Sequence, residues 1–322
     1  MMLKTFYMNT CLLISLGLLL SCGTVKNTGI NPVDKQLLKD VEILSSDSYE
    51  GRKTGTKGAE MARAYLAERF KTIGLSSFPQ LHGYEQPFSF STNSTAVIHG
   101  KNMVGYIEGQ SKSDQVIVIS AHYDHLGIIN NQIYNGADDN ASGVAALLKY
   151  AAYYKAHKPH HTLIFAAFDA EEMGLQGARA FVANPPVELD KIILNINLDM
   201  ISRSDKGELY ACGTFKYPSL KNYFYTSNPK PKILFGHDDP KLGHDDWTNQ
   251  SDHSAFNDKN IPFIYFGVED HKDYHKASDK YQNINKTFFI DASNSILEII
   301  NNIDKERDIQ KLFHQNLQIR KQ

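Results

Sequence analysis

Residues 162–174 read TLIFAAFDAEEMG, an apolar run that ends in two adjacent glutamates, Glu171 and Glu172. A run that is apolar on both faces is typical of a strand in the middle of a parallel sheet. Adjacent carboxylates repel each other, and neither is stable in a core unless something positive replaces its lost hydration. The stretch therefore predicts a buried strand whose C-terminal end holds two carboxylates, either solvated in a turn or facing cations.

Other apolar runs in the chain have the same form. They are QVIVIS (115–120), KIILNIN (191–197) and IPFIYFG (261–267), and strands are also expected around 84–91 and 96–107. Helical spacing of apolar residues is found at 33–45, 58–74, 141–157, 174–186 and 286–303. Apolar strands that alternate with helices imply parallel pairing and a three-layer α/β sandwich. No linker-like stretch divides residues 33–305, so we expect one domain there.

Each of the four buried apolar runs is followed by residues that can bind a metal or move a proton. The segments are AHYDH (121–125), AEE (170–172), LDM (198–200) and VEDHKDYH (268–275), and ADDN (137–140) precedes the helix at 141–157. In open α/β sheets, functional groups gather at the C-terminal ends of the strands. We therefore expect these His, Asp and Glu side chains to meet at one edge of the sheet.

The overall composition argues against two classes of function. The chain has 322 residues, of which 42% are hydrophobic and 22% charged, with a formal net charge of −2. A nucleic-acid binder would normally present a basic face, which this balance does not favour. The sequence also lacks a glycine-rich phosphate loop of either common type. We therefore expect neither a nucleic acid nor a nucleotide as a partner.

The N-terminal residues have the features of an export signal. Lys4 precedes an apolar run from Cys11 to Leu20 that is too short to span a bilayer as a mature helix. The run ends LLSCG, which resembles a bacterial lipobox, so Cys22 is expected to carry a lipid and to begin the mature chain. The alternative is an ordinary secretory signal with an incidental cysteine. Cys212 would then be the remaining cysteine, buried in a strand, and no disulfide would form.

These features divide the chain into four expected segments. They are a lipoprotein signal peptide at 1–21, a tether at 22–32, the domain at 33–305 and a charged tail at 306–322. The protein is expected to be exported to the cell envelope and anchored by its lipid to a bacterial membrane.

Five motifs together resemble the metal-site motifs of metallopeptidase family 28, the co-catalytic di-zinc exopeptidases that include aminopeptidases and glutamate carboxypeptidase. The motifs are HYDH (122–125), GADDNASG (136–143), DAEEMGLQG (169–177), NLDM (197–200) and YHKASD (274–279). They follow the order of that family, over roughly residues 35–300. The resemblance implies a three-layer α/β/α sandwich around a mostly parallel mixed central sheet. It also implies a zinc exopeptidase that acts on peptides, most simply an aminopeptidase.

The resemblance further implies the metal ligands. Two zinc ions about 3.5–4 Å apart need a carboxylate that bridges them, and additional nitrogen and oxygen ligands on each side. By motif position, Asp139 would be the bridge. His122 and Asp199 would complete one ion, and Glu172 and His275 would complete the other.

Three more residues receive roles from the same resemblance. Glu171 would be the general base, which takes a proton from the metal-activated water and delivers it to the leaving amine. Asp124 would accept a hydrogen bond that fixes the imidazole of His122. Tyr274 would donate a hydrogen bond to the tetrahedral oxyanion, although packing is an equally good interpretation of this tyrosine.

Other polar residues near the motifs have plainer interpretations. Asp138 and Asn140 are expected to hydrogen-bond locally in the loop around Asp139. The family often has a cis peptide bond after its bridging aspartate, so one is expected here too. His125 is expected at the surface or in a hydrogen bond, and not as a metal ligand.

Residues 236–250, GHDDPKLGHDDWTNQ, contain the only tryptophan, Trp247. We expect this segment to form an acidic rim loop and not an extra cation site. After it, two interpretations stay open: Asp252 and His253 border the substrate cleft, or Ser251 caps a helix that has an acidic first turn.

Two other function classes stay open. Glutaminyl-peptide cyclotransferases share the fold but use one zinc ion, and they resemble the chain at HYD and EE while departing from it at DNASG. A non-catalytic peptide-binding ectodomain is the second alternative, and loss of catalysis should show as missing ligands. The sequence does not say whether a free amine or a free carboxylate is selected, because pocket loops set that choice.

Overall fold

A computed structural model of the protein describes residues 30–92, 96–111, 114–243, 245–307 and 309. The strands in these ranges are β1 (Glu85–Ser91), β2 (Val97–Ile107), β3 (Val116–His122), β4 (Gly127–Ile129), β5 (Gln132–Tyr134), β6 (Thr162–Phe168), β7 (Ile192–Leu198), β8 (Glu208–Cys212), β9 (Lys232–Phe235) and β10 (Phe263–Gly267). The helices are α1 (Pro32–Leu44), α2 (Lys57–Ile73), α3 (Gly143–Ala156), α4 (Gln176–Ala183), α5 (His253–Asn257) and α6 (Lys286–Asp304).

Eight of these strands form one sheet, in the order β1-β2-β6-β3-β7-β10-β8-β9. The four central strands, β6, β3, β7 and β10, are mutually parallel, and the antiparallel pairs lie toward the two sides of the sheet. The prediction of a mostly parallel mixed sheet is therefore confirmed. The parallel register sets His122 beside Phe168 and Ser120 beside Asn197, so the C-terminal ends of these strands lie at one edge.

The two faces of the sheet pack against different helices. In β3, Ile117 and Ile119 belong to a core shared with α1, α2, α3 and α6, whereas Val116 and Val118 belong to a core shared with α4 and α5. This alternation is what a strand buried on both faces requires, because successive side chains point to opposite faces. The predicted three-layer α/β/α sandwich is confirmed.

Two local features position the site. Residues Ala137–Ser142 form an irregular turn in which Asp139 and Asn140 have non-helical dihedral angles, so α3 begins at Gly143, two residues later than the apolar spacing suggests. Helix α2 is bounded by Thr56, whose side chain accepts a hydrogen bond from the Ala59 amide, and by Gly74 in the left-handed conformation. The buried, unpaired Cys212 lies at the end of β8, as expected.

The segment that contains Cys22 lies outside the described residues, as does nearly all of the expected tail from 306 onward. The helices and strands described above belong to one compact unit that starts at Pro32. The boundaries at 21, 32 and 305 stay predictions. Within the described ranges, none of the helices combines the length and the apolar character needed to cross a bilayer.

Candidate metal centre

The C-terminal edge of the parallel strands collects the side chains expected there. His122 is the last residue of β3, Asp199 directly follows β7, and Glu172 lies in the turn after β6. Asp139 lies in the irregular turn before α3, and His275 lies in the loop after β10. The fold therefore brings the five expected metal ligands together from five separate segments.

Two groups of nitrogen and oxygen atoms meet at Asp139. In the first, which we call the His122 group, His122 Nε2 lies 3.3 Å from Asp139 Oδ1 and 3.2 Å from Asp199 Oδ1. In the second, the Glu172 group, His275 Nε2 lies 3.1 Å from Asp139 Oδ2 and 3.4 Å from Glu172 Oε2. Because the two oxygens of Asp139 face different histidines, one carboxylate can serve both groups.

The donor atoms suit zinc. Zinc binds imidazole nitrogen and carboxylate oxygen at about 2.0–2.2 Å, so the ligand atoms around one ion lie about 3–3.5 Å apart. The four distances within the two groups, two of which involve Asp139, fall in this range. Glu172 Oε1 is buried and has no hydrogen-bond partner among the described residues. Buried polar atoms rarely stay unpartnered, and a cation would satisfy this one. His122 and Asp199 would hold one ion and Glu172 and His275 the other, with Asp139 between them.

Asp138 holds the turn of Asp139 to distant parts of the chain. Its Oδ1 accepts hydrogen bonds from the amide of Ser202 at 2.6 Å and from Ser202 Oγ at 2.7 Å. Its Oδ2 lies 2.9 Å from His271 Nε2, in the loop that carries His275. The expectation that the Asp138 side chain hydrogen-bonds locally is therefore wrong, since its partners follow β7 and β10.

Asn140 also reaches beyond its own turn. Its Nδ2 donates to the Leu198 carbonyl at 2.9 Å, while its Oδ1 accepts from the amides of Gly143 and Met200. The Asp139–Asn140 peptide bond is cis, as the resemblance implies. The carboxylate of Asp279 accepts the amide hydrogens of both Asp138 and Asp139. Hydrogen bonds from Asp279 and Asn140 therefore fix the chain on both sides of the bridge position.

Asp124 supports the turn of the two glutamates. Its Oδ1 accepts the amide hydrogen of Glu171 at 3.0 Å, and its Oδ2 lies 3.4 Å from the amide nitrogen of Glu172. His122 Nδ1 is 3.2 Å from the Asp124 carbonyl oxygen but 3.7 Å from its carboxylate. The structure therefore differs from the expectation: the main chain of Asp124 orients the imidazole, and its carboxylate orients Glu171 and Glu172.

The carboxylate of Glu171 lines the cavity beside the His122 group. Burial raises the pKa of Glu171 well above its usual value, and the negative charges of Asp199 and Asp252 act in the same direction, while His122 opposes them. A carboxyl group in this position exchanges its proton more readily near neutral pH than an exposed glutamate does.

The cavity at this edge has a volume of about 440 Å³ and is lined by polar and apolar side chains. Tyr274 lines it and stacks on His275, with ring centroids 3.9 Å apart. Trp247, 8% exposed, forms part of another wall. Its indole stacks on His237 at 3.4 Å. The segment 236–250 is expected from the sequence to form only an acidic rim loop, but it also contributes an aromatic ring, that of Trp247, to the wall of the cavity.

The residues after that segment differ from the sequence expectation. Ser251 does not cap α5; its Oγ lies 2.9 Å from Asn197 Nδ2 of β7, and Asp252 occupies the cap position. Asp252 is fully buried, and neither of its carboxylate oxygens has a hydrogen-bond partner among the described residues. Burial raises the pKa of Asp252 to about 8, with Asp124 and Asp199 contributing and His122 opposing. Sequence reasoning about a cap did not reveal a buried acid behind the metal groups.

Arg52 is a site residue that the sequence analysis missed. Its guanidinium is fully buried and donates only to main-chain oxygens, those of Leu44, Tyr123, Asn135 and Gly136. It thereby joins the end of β3 to the segment that leads to Asp139. Burial lowers the pKa of Arg52 to about 10, although Asp139 and other carboxylates nearby raise it. The glycine beside it in YEGRKTG was the available signal, since the chain at Arg52 has a positive φ of 51°.

His125 is the second site residue that the sequence analysis missed. It is 1% exposed, and neither ring nitrogen makes a hydrogen bond within the described ranges. It forms with Asp139 and Glu172 a group of side chains that could hold a metal ion. The expectation of a surface or hydrogen-bonded histidine is therefore wrong.

The comparisons with known proteins agree with this geometry. The model of peptidase family M28 matches residues 102–300. The chain is 30% identical over 205 residues to the aminopeptidase YwaD of Bacillus subtilis, a match that covers 61% of this chain and 42% of the relative. The chain likewise spans less than half the length of several other curated relatives.

Two solved structures show the same fold at low sequence identity. A zinc-dependent exopeptidase from Parabacteroides distasonis superposes with a TM-score of 0.65 and 18% identity, covering 84% of this chain and 98% of that one. Glutaminyl cyclase from Porphyromonas gingivalis gives a TM-score of 0.63 and 16% identity, with the same coverage of 84% and 98%. Since the family model covers more than half of the sequence and spans the metal groups, this chain belongs to peptidase family M28.

Proposed function

We propose that the protein is a zinc metallo-exopeptidase that hydrolyses the peptide bond at one end of a peptide, most simply an aminopeptidase. The observation that carries this proposal is the pair of metal groups that share Asp139 and open, with Glu171, into one cavity. Membership of family M28 and the likeness to an aminopeptidase support the same reaction class.

Glu171 is the proposed general base. In its ionised form the carboxylate accepts a proton from the attacking water and then passes it to the leaving amine. Its raised pKa suits a group that must both take up and release a proton. Zinc, when bound, would supply a Lewis acid for the substrate carbonyl and lower the pKa of a water molecule. Asp124 positions Glu171 by accepting the amide hydrogen of Glu171. Tyr274 lines the same cavity, and its proposed role is to donate a hydrogen bond to the oxygen of the tetrahedral state.

We propose two zinc ions per chain, one in each group. The support is that the two oxygens of Asp139 contact different histidines, His122 and His275. Elemental analysis of protein loaded with zinc and freed of excess metal should give close to two equivalents. A firm plateau at one equivalent would contradict this count.

A single-zinc glutaminyl-peptide cyclotransferase is the second candidate. The fold likeness to a glutaminyl cyclase favours it. The complete His122 group argues against it, because a one-ion enzyme has no need for a second group in which Asp139 and Asp199 both lie within 3.3 Å of His122 Nε2. A non-catalytic ectodomain is disfavoured for a related reason, since all five expected ligands lie together.

A peptide-library digest tests the reaction and the end of the chain that is trimmed. Mixed peptides with free and blocked ends are incubated with the purified, zinc-loaded protein and read by mass spectrometry. Stepwise loss of residues from free N-termini is expected. Loss from C-termini would keep the exopeptidase proposal and reject the aminopeptidase one, whereas cyclised N-terminal glutamine without hydrolysis would reject both.

We also propose that the protein is an exported lipoprotein, held on a bacterial membrane through Cys22 with residues 22–32 as a tether. The support is the sequence LLSC after an apolar run. Replacing Cys22 with Ser should release the protein from the membrane fraction or stall its processing. Normal processing together with detergent-requiring membrane association would reject lipid attachment at this residue.

A further inference from the structure

The imidazole of His125 is enclosed between the end of β3 and the turn that carries Asp139. Its side chain is 1% exposed. Gly136 makes room for the ring, because a Cβ at that position would lie 2.6 Å from His125 Cγ. Gly136 also has a φ of 58°, which favours glycine. The chain is therefore shaped at Gly136 to hold an imidazole at this point.

His125 Nδ1 faces two members of the Glu172 group. It lies 2.7 Å from Glu172 Oε1 and 3.7 Å from Asp139 Oδ2. Neither ring nitrogen of His125 has a hydrogen-bond partner in the part of the chain that the structure describes, and neither has Glu172 Oε1. The short approach of nitrogen to oxygen therefore lacks the angle that a hydrogen bond needs. Unpartnered atoms this deeply buried indicate a missing partner that His125 Nδ1 and Glu172 Oε1 would both contact.

The distances suit a shared cation. Ligand atoms about 2.0–2.1 Å from a tetrahedral zinc ion lie about 3.3 Å from one another. His275 Nε2 lies close to this distance from Asp139 and Glu172, at 3.1 and 3.4 Å. The distances of His125 Nδ1 from the same two carboxylates, 3.7 and 2.7 Å, are one longer and one shorter than about 3.3 Å. The rings of His125 and His275 have centroids 6.0 Å apart, so they approach the carboxylates from different positions.

We propose that His125 binds metal through Nδ1, as a fourth side chain of the Glu172 group beside Asp139, Glu172 and His275. The inference rests on the proposed zinc site and adds a ligand to it. The His122 group has three protein side chains and the Glu172 group then has four. The Glu172 group should therefore bind its ion more tightly and fill first.

The test compares metal binding by the wild-type chain, His125→Phe and His161→Phe. His161 is a matched control, since it too is fully buried with an unpartnered ring nitrogen, but it lies at the N-terminal end of β6, away from the metal groups. The metal-free proteins are titrated with Zn²⁺ against a chromophoric chelator, and with Co²⁺ followed by visible absorption. We expect His125→Phe to weaken the first equivalent more than the roughly 10–100-fold typical of an outer partner and to change its Co²⁺ spectrum. His161→Phe should leave both unchanged.

Two results would overturn the proposal. One is a folded His125→Phe protein with wild-type affinity and spectrum. The other is a weaker affinity with an unchanged Co²⁺ spectrum, because that pattern makes His125 a hydrogen-bond partner of Glu172. If His125→Phe does not fold, X-ray absorption of the wild-type protein with one equivalent of Zn²⁺ decides. Two imidazoles per ion are expected, and one imidazole rejects the proposal.

These readouts are independent of peptide hydrolysis. A protein that binds metal as expected and cleaves no peptide would contradict the proposed function and leave the assignment of His125 standing. A protein that cleaves peptides but shows one imidazole in its first ion would do the reverse.

Discussion

The two acidic pairs of the site, Asp138–Asp139 and Glu171–Glu172, are built on the same plan but held differently. In each pair one carboxylate joins a metal group and its neighbour does not. The oxygens of Asp138 contact Ser202 and His271 through three hydrogen bonds. Among the described residues, no hydrogen bond holds the carboxylate of Glu171, which lines the cavity instead. Asp138, whose two carboxylate oxygens are both hydrogen-bonded, has a structural role. Glu171, whose carboxylate faces the cavity, is available to transfer a proton.

The surroundings of the two pairs continue this contrast. Beside Asp138, the carboxylate of Asp279 accepts main-chain amide hydrogens of the same turn. Behind Glu171, Asp252 is buried with both oxygens unpartnered within the described ranges. Unsatisfied buried groups destabilise a fold, so the unpartnered carboxylate of Asp252 behind Glu171 indicates a position where function outweighs stability.

The largest expected effects come from the two glutamates, which should fail in different ways. Glu172→Ala removes a proposed metal ligand, so zinc affinity should fall by orders of magnitude and activity with it. Glu171→Gln keeps the shape of the side chain and removes the proposed base, so metal content and thermal melting should survive while turnover drops at least about a hundredfold. Zinc stoichiometry, melting and release of free amino acid from short peptides are measured on both variants. Near-wild-type turnover of Glu171→Gln would show that another residue is the base.

Arg52→Met should affect both pairs, because Arg52 ties the main chain after β3 to the turn before Asp139. The change leaves four buried carbonyl oxygens without their donor, which should lower the free energy of unfolding by at least about 3 kcal/mol. Zinc affinity should fall as well, since the segments that carry His122 and Asp139 lose their common anchor. Denaturant unfolding of the metal-free protein and chelator competition measure the two effects.

Lys149→Met is the matched control for Arg52→Met. Lys149 is also a buried cation, 6% exposed, and its Nζ contacts Asp34, Ser293 and Asn294 in the helical layer. Its replacement should lower stability and leave zinc affinity unchanged. Equal loss of zinc affinity in the two variants would mean that Arg52 acts through general stability alone.

The residues that local sequence patterns could predict are those at strand ends. TLIFAAFDAEE and VIVISAHYDH each indicate a buried strand together with the ligating residues at its C-terminal end. Parallel register then brings His122 and Glu172 to the same edge of the sheet. For this reason the fold, and the meeting of the five expected ligands at one edge of the sheet, could be predicted from the sequence. The information for that prediction lies within single segments of the chain.

The residues that the patterns could not predict depend on contacts between distant segments. Arg52 bonds to carbonyls 71 and 84 positions away. The glycine beside it marks a turn of the main chain but not the burial of the arginine side chain. Asp138 is held by Ser202 and His271, which are 64 and 133 positions away. His125 follows His122 by three residues, but only the fold shows that Gly136 leaves space for its ring.

Asp138→Asn tests the scaffold side of the comparison. An amide has one acceptor oxygen in place of two, so either the Ser202 contacts or the His271 contact is lost. Stability should fall by about 2–3 kcal/mol, and zinc affinity by about 10–100-fold because the turn of Asp139 loosens. Asp40→Asn is the control: Asp40 is buried and bonded to Gln36, Tyr65 and Arg69, so its loss should reduce stability only. Unchanged zinc affinity in Asp138→Asn would show that Asp138 does not support the metal centre.

The smallest expected effect is a pH dependence of stability that arises on the other side, next to Asp252. His253 is fully buried at the start of α5, with Nε2 2.9 Å from the Trp247 carbonyl oxygen. Burial lowers the pKa of His253 to about 4, although contacts with Trp247 and Thr248 raise it. In the unfolded chain its pKa is about 6.5, so below that pH the unfolded state takes up a proton that the folded state does not. The contribution of His253 to stability is therefore fully present above about pH 6.5 and is lost as the pH falls toward 4.

Between pH 7 and 5 this uptake should lower the free energy of unfolding by about 1–2 kcal/mol. His253→Gln keeps an amide donor for Trp247 and cannot titrate, so it should remove that part of the slope. Denaturant unfolding is measured on the metal-free proteins, because zinc dissociates in acid and would add its own dependence. Equal slopes in the two proteins would mean that His253 takes up its proton in the folded protein over the same pH range as in the unfolded chain. In acid, a buried imidazolium would then lie next to Asp252. The contrast between the two acidic pairs would need an explanation that includes this charge.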